Sequence, residues 1–299
     1  MGYVIIDLEF NNLRNITKYY PNIYEEHSEL KNISLDNEII QIGAVKLDRM
    51  INKIGEFKRY IKPSVFKIIN PKITQITGIK QEDLEYGVSF CEAMEEFKKF
   101  VGNDSIICSW AKDDIAEIIK NAIYHKYSNI DWLREYIDIQ EYVTKVLAHK
   151  KCLSLKSALE ELKIRIDESK LHDALNDALY TFEVFKRLFN GRIVKNYIVR
   201  DIYNMPAIMI KDLQNYHIDN TKVEFKCPKC KIEVAIEKPL KLFNWRFMAI
   251  GKCPKCNSKI LQEVMIKRTL SGEEVYNNIN TVLNDLEYMD YSYKFEKAN

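Results

Sequence analysis

The sequence predicts a mixed α/β sheet with helices on its faces, followed by a small β-rich module built on paired cysteines. Three observations carry that prediction. Apolar β-like segments open the chain and give way to alternating helical and strand patterns. Short acidic clusters stand at the carboxyl ends of two of those strands. Two Cys-Pro-Lys-Cys elements, Cys227 with Cys230 and Cys253 with Cys256, punctuate the last third.

The elements follow in order. Residues 3–7 form a continuous apolar strand that delivers Asp7 and Glu9 to its end, side by side on one face because strand side chains alternate. A polar stretch over residues 11–36 lacks periodicity and reads as a functional loop, a short helical insertion, or both. Glu38–Leu47 is β-rich, and Gly55–Ile61 alternates as its hairpin partner. Pro63 and Pro71 bracket a loop leading to Thr77, Gly78 and Ile79. Ser89 and Glu92 have capping-box spacing, with Phe90, Met94, Phe97 and Val101 on one helical face behind them. Residues 104–110 read as a buried strand ending at Trp110, and a helix carrying Ile115, Ile118, Ile119 and Ala122 follows. Further helices are expected near 153–163 and from His172 through Phe189. Residues 191–222 read as a linker, partly helical around Pro206–Gln214. Residues 223–270 form the cysteine module. The tail from 271 to 299, with Val275, Ile279, Val282 and Leu286, reads as one amphipathic helix with a fraying end.

Bulk properties narrow the classes. At 299 residues, 46% hydrophobic and 11% aromatic, the chain can bury a large core, which argues against wholesale disorder. Lys and Arg number 45 against 43 Asp and Glu, a formal charge of +2, so any nucleic-acid contact would rest on local basic patches. No apolar run is long enough to span a bilayer, so no membrane partner is expected. Seven cysteines, an odd number, and the lack of a secretory signal at the start point to a reducing, cytoplasmic location. Cys91, Cys108 and Cys152 stand apart and read as buried free thiols.

Three clusters hold the chemistry: Asp7 with Glu9, Asp113 with Asp114, and His172 with Asp177. Each alone is commonplace. A strand end can be solvated, an aspartate at a helix start can be an N-cap, and a lone histidine is more often structural. Jointly they supply four carboxylates and an imidazole. Carboxylates brought together raise one another's pKa unless cations hold them, so hard divalent metals are the natural occupants.

The joint pattern resembles the DEDDh branch of the DnaQ-like, RNase H-fold 3′–5′ exonucleases, closest to its Eri-type and KapD-like members, over residues 1–190. Asp7 and Glu9 match the first motif. Asp114 best matches the second, four residues after Trp110, with Asp113 as the competing assignment. His172 and Asp177 match the third. The resemblance implies an RNase H-like mixed five-stranded sheet flanked by helices. It also implies two Mg²⁺ or Mn²⁺ ions held by Asp7, Glu9, Asp114 and Asp177, with His172 as the base that deprotonates the attacking water. An imidazole suits that task because it ordinarily titrates near ~6.5. The substrate would be single-stranded RNA or DNA with a free 3′ end, RNA favoured, releasing nucleoside 5′-monophosphates. Leu8, Phe10, Thr77, Gly78, Ile79 and Trp110 would contact the terminal nucleotide, although Phe10 and Ile76–Ile79 could equally be packing. A DNA proofreading enzyme working with a polymerase partner and a catalytically silent nucleic-acid-binding protein are the rival readings.

The two cysteine knuckles flank 22 residues (231 to 252), the pattern of a structural zinc ribbon with Cys227, Cys230, Cys253 and Cys256 on one Zn²⁺. A redox dithiol is the alternative. Glu233–Ile236, Arg246–Ile250 and Lys259–Met265 supply its strands. Its lysines and arginines accompany Phe243, Trp245 and Phe247, a mixture suited to nucleic acid, while docking of a protein partner and an ordinary solvated surface remain open.

Overall fold

The opening apolar run becomes β1, Gly2–Asn11, with Val4, Ile5 and Ile6 fully buried. A computed structural model of the chain describes residues 2–168, 171–210, 213–214 and 216–297, and for residues 207–209 it describes the backbone alone. It divides into two compact units, Met1–Ile202 and Tyr203–Asn299. In the first unit, β1 is followed by α1 (Ile23–Glu26), β2 (Glu38–Leu47), β3 (Lys53–Tyr60), α2 (Pro71–Thr77), α3 (Gln81–Glu85) and α4 (Phe90–Val101). Then come β4 (Ser105–Ser109), α5 (Asp113–Tyr124), β5 (Tyr136–Asp138), α6 (Ile139–Val146), α7 (Leu155–Glu161), α8 (Ala174–Leu188), α9 (Gly191–Val194) and β6 (Ile198–Val199).

The sheet order is β3-β2-β1-β4-β5-β6. β1, β2 and β3 pair antiparallel, whereas β4 and β5 run parallel to β1, giving a mixed sheet. It has six strands where five were expected. The sixth, β6, pairs antiparallel with β5 over two residues, so the first unit continues past residue 190 into the stretch read as linker. β2 is buried along nearly its whole length, as a strand covered on both faces must be. Ile5, Val45, Ile137, Phe182 and Phe185 belong to one core cluster, which packs α8 against the sheet.

Local chemistry explains the helix ends. The Ser89 hydroxyl accepts from the Glu92 N–H, and the Glu92 carboxylate accepts from the Ser89 N–H at 2.9 Å, closing the expected capping box. The stretch after Pro63 holds a helix rather than loop alone. Asn70 caps α2, Pro71 occupies its first turn, and Gly78 at φ +72° ends it in the left-handed conformation. Residues 11–36 are tied down: the Asn11 side chain donates to Phe66 O and Ile68 O, and that of Asn70 donates to Asn12 O and Arg14 O. Ile16 and Ile23, within this insertion, are buried. Of the three solitary cysteines only Cys108 is buried. Cys91 lies on the outward face of α4's first turn and Cys152 in the loop before α7, so both are exposed.

The second unit comprises β7 (Pro206–Met209), β8 (Ala235–Phe243), β9 (Arg246–Lys252), β10 (Lys259–Thr269), β11 (Glu274–Leu283) and α10 (Asp285–Lys297). β8 to β11 form an antiparallel meander, and β7 pairs with the far end of β10. Two expectations fail here. Residues 206–209 are strand rather than helix; Lys211 and Asp212, in the same expected helix, lie outside the described residues. The expected C-terminal helix splits into β11 and α10. β-Branched Val275, Ile279, Thr281 and Val282 favour the strand, and a ten-residue register from Lys259↔Leu283 to Arg268↔Glu274 satisfies its backbone. Gly272, at φ +96°, makes the hairpin turn. Asn284 then starts α10, exchanging hydrogen bonds of 2.9 Å with Glu287 in a second capping box. Among the described residues no helix is long and apolar enough to cross a membrane.

Candidate active site

β1 carries Asp7 and Glu9 on the face that α8 covers. Directly across from Asp7 on β2 is Gly43, and beyond it on β3 is Lys58. The row next to it is Glu9, Gln41 and Tyr60. A Cβ on Gly43 would lie 2.1 Å from the carbonyl carbon of Ala174, so only glycine lets the start of α8 rest on the strand. Gln41 Oε1 accepts from the Ala174 N–H at 2.7 Å, and Lys58 forms an ion pair with Asp173, the residue capping α8. Glycine, glutamine and lysine together fix the N-terminus of α8 above the two strand carboxylates.

That docking brings Asp177, in the first turn of α8, to Asp7 and Glu9. One oxygen from each of the three lies within 4.8 Å of the others. Asp114, in the first turn of α5, stands beside them and repels both Asp7 and Glu9. Asp113 is exposed. His172 is exposed at φ +63°, and its backbone N–H donates to Asp177 Oδ2 at 3.0 Å.

The electrostatics are those of anions awaiting a cation. Burial, reinforced by Asp114, Asp177, Glu9 and Asp173, pushes the Asp7 carboxyl well above the usual range. Burial, then Asp177, Asp114 and Asp173, pushes Glu9 to about 8. Asp114 also rises to about 8, through burial first and Asp113 second. Asp177 rises through burial, opposed by the His172 N–H. Asp177 Oδ1 is buried with no hydrogen-bond partner among the described residues. A hard divalent ion suits this donor set: it would engage the orphaned oxygen and relieve the mutual repulsion.

The residues expected to touch a nucleotide fare unevenly. Phe10 and Trp110 are half-buried, and the Trp110 indole N–H is buried without a partner among the described residues. Leu8 and Ile79 have buried side chains, Ile79 in a cluster with Ile40, Ile69 and Leu84, so any contact from them with a nucleotide would come through the backbone. The Thr77 hydroxyl donates to Ile73 O and accepts from the Ile79 N–H, leaving Gly78 exposed at the helix end. Gly43, Gln41, Lys58 and Asp173 belong to none of the sequence motifs, yet they seat α8. The only sequence signal for Gly43 was a glycine inside a strand pattern, which marks close backbone approach.

In the second unit the sulfurs of Cys227, Cys230, Cys253 and Cys256 all lie within 4.8 Å of one another, and all four are free thiols. Each knuckle closes the same way: Lys231 N–H donates to Cys227 O and Asn257 N–H to Cys253 O, with Lys231 and Asn257 both left-handed. Cys227 and Cys256 sulfurs are 3.7 Å apart, matching the ~3.8 Å edge of a tetrahedron with Zn–S bonds of about 2.3 Å. The Ser258 hydroxyl, 3.3 Å away, is the main cause that brings the Cys256 thiol down to about 6, while hydrogen bonding to Cys256 pushes Cys230 up to about 12. The cluster fits a zinc ribbon. Of the aromatics grouped with it, Phe247 is buried and Phe243 packs on Phe295, so Trp245, with Arg246 over its ring, is the one left exposed.

A mixed sheet with carboxylates at the end of its central strand, completed from a docked helix, defines an exonuclease domain of the DEDDh type. The RNase T exonuclease family model matches residues 4–185, more than half of the sequence, and the chain belongs to that family. A PolC-type DNA polymerase III of Thermotoga petrophila is 34% identical over 62% of this chain, which spans 13% of that polymerase. The 3′-5′ exonuclease crn-4 of Caenorhabditis elegans is 24% identical, over 56% of this chain and 61% of its own. Among solved structures, the nuclease domain of 3′hExo, a DEDDh family member bound to rAMP, superposes with a TM-score of 0.50. It covers 62% of this chain and 90% of its own at 15% identity, a likeness of fold alone.

Proposed function

We propose that the protein is a metal-dependent 3′–5′ exonuclease that hydrolyses single-stranded nucleic acid, RNA favoured over DNA, releasing nucleoside 5′-monophosphates. The observation carrying this reading is the convergence of Asp7, Glu9 and Asp177 within 4.8 Å, with Asp114 beside them and His172 leading into the same helix. Asp7, Glu9, Asp114 and Asp177 would hold two Mg²⁺ or Mn²⁺ ions. Such ions, when bound, lower the pKa of a coordinated water and offset charge growing on the phosphate. His172 takes the proton from the attacking water, and its exposure lets the side chain turn toward a bound strand. Lys58 and Gln41 hold the segment that carries it. Unpaired 3′ ends are favoured because a splayed base can be clamped beside Phe10 and Gly78, whereas a stacked pair cannot. Cys227, Cys230, Cys253 and Cys256 hold one structural Zn²⁺ in this reading, and the ribbon's exposed Trp245 serves nucleic acid or a partner protein.

The deciding experiment uses 5′-labelled single-stranded RNA and DNA with Mg²⁺, Mn²⁺ or EDTA. Ladders shortening by one nucleotide, abolished by EDTA, are expected on RNA and more weakly on DNA. A protein that binds both strands without shortening either would be a silent binder, and the activity assigned here would be wrong. The second reading, proofreading of DNA beside a polymerase, is favoured by the PolC-type relative; a preference for mismatched DNA 3′ ends over RNA would select it.

A further inference from the structure

β1 has two ends, and the second also has a cavity. Tyr3 lies on the same face as Asp7, four residues back along the strand, roughly 13 Å at about 3.3 Å per residue. A cavity of about 580 Å³ opens there, within the size range of small-molecule sites. Its walls include the rings of Tyr3 and Phe189, and its rim carries Arg49, Arg192 and Lys195. No carboxylate lines it.

The free polar groups are donors. Asn190 spends its side-chain oxygen on the N–H groups of Arg192 and Ile193, at 3.0 and 3.3 Å, so what its side chain has left to offer a ligand is the NH₂ donor. Among the described residues Arg192 and Lys195 have no ion pair, and the Tyr3 hydroxyl has no hydrogen bond. Three cations, two free donors and an aromatic wall call for a ligand with clustered anionic oxygens and a flat ring. We propose that this cavity binds a nucleoside 5′-monophosphate, the phosphate at Arg192, Lys195 and Arg49 and the base against Tyr3 and Phe189. The choice of a nucleotide among aromatic anions rests on the exonuclease reading, since that chemistry releases this compound. The cavity would then report product concentration at a place separate from the carboxylates.

The test is calorimetric titration of AMP into the full chain in EDTA, where metal-supported binding at the carboxylates is removed. Saturable binding is expected, weakened about tenfold or more by Arg192→Glu or Lys195→Glu, unchanged by Asp7→Asn, and stronger than that of inorganic phosphate or adenosine alone. Circular dichroism checks the charge reversals, and Arg192→Gln replaces any that misfolds. Several results overturn the proposal: no saturable heat, binding indifferent to Arg192 and Lys195, or phosphate alone binding as tightly as AMP. Binding of a 3′-blocked oligonucleotide through these residues, with none of AMP, would make the cavity a strand path and also overturn it. An inactive protein that still binds AMP would fault only the exonuclease reading. An active nuclease that does not bind AMP would fault only this one.

Discussion

The carboxylate centre and the thiol centre each gather like-charged ligands, but they assemble them by opposite routes. The thiols come from two short knuckles, each closed by its own backbone hydrogen bonds and a left-handed residue, so local geometry aims most of the site. The carboxylates come from β1, α5 and α8, and meet because Gly43, Gln41 and Lys58 seat the start of α8 on the sheet. One site is set by turns, the other by tertiary docking. The lesson is that a local site should fail with its own module, whereas a docked site can be weakened from outside its ligand set.

The largest expected effect tests the docked site directly. Asp7→Ala or Asp177→Ala is expected to lose cation binding and nuclease activity together, with rates down at least about 10²–10³-fold, read by Mn²⁺ titration and single-turnover cleavage. His172→Ala separates the two functions: cation affinity holds while the rate drops roughly 10²–10⁴-fold. A variant cleaving at the parent rate would remove His172 from the mechanism.

Under the proposed zinc ligation, the thiol centre is broken by Cys227→Ser or by a chelator. Structural zinc in small peptides carries an apparent binding free energy of about 10–16 kcal/mol at pH 7, and that energy is folding energy. The unfolding transition of residues 203–299 should therefore vanish from calorimetry while that of residues 1–202 persists. Loss of both transitions together would contradict the contrast drawn here.

A pH series sharpens the difference. Glu9 and Asp114 have pKa values raised to about 8, against ~4.3 and ~3.9 for free Glu and Asp. For acids raised in the folded state, the stabilising protonated form is fully present below the ordinary pKa and lost as pH climbs through about 8. Metal-free protein should thus melt at progressively lower temperature from about pH 4 to pH 8, and Mg²⁺ or Mn²⁺ should remove much of that slope. A flat profile without metal would mean the carboxylates are neither buried nor mutually repelled as described.

The smallest effect concerns the seat rather than the ligands. Lys58→Ala frees Asp173 from its partner on β3, and a decline of about tenfold in kcat with little change in KM is expected, largely restored by Lys58→Arg. Equal loss in the Ala and Arg variants would show that the lysine's charge is not what matters.

Much of this was legible beforehand. A continuous apolar run marked β1, a β-rich segment marked β2, alternation marked β3, and the Ser89–Glu92 box marked α4, because these signals are local. The short β5 and the helix α6 behind it went unread, since three residues carry no periodicity. The C-terminal strand was mistaken for helix because Val275, Ile279 and Val282 fall at spacings that suit a helix face. A neighbouring strand with a matching register decided it otherwise.

By itself the sequence determined which residues could do chemistry: five acid and imidazole side chains in motif order, and four cysteines at knuckle spacing. It could do so because side-chain type and short spacing are written residue by residue. Tertiary structure alone decided how near Asp114 comes to Asp7, that the Leu8 and Ile79 side chains are buried, and that a glycine on β2 makes room for α8. Those outcomes depend on which backbones approach within a few ångströms, and such approach is set by the packing of distant segments.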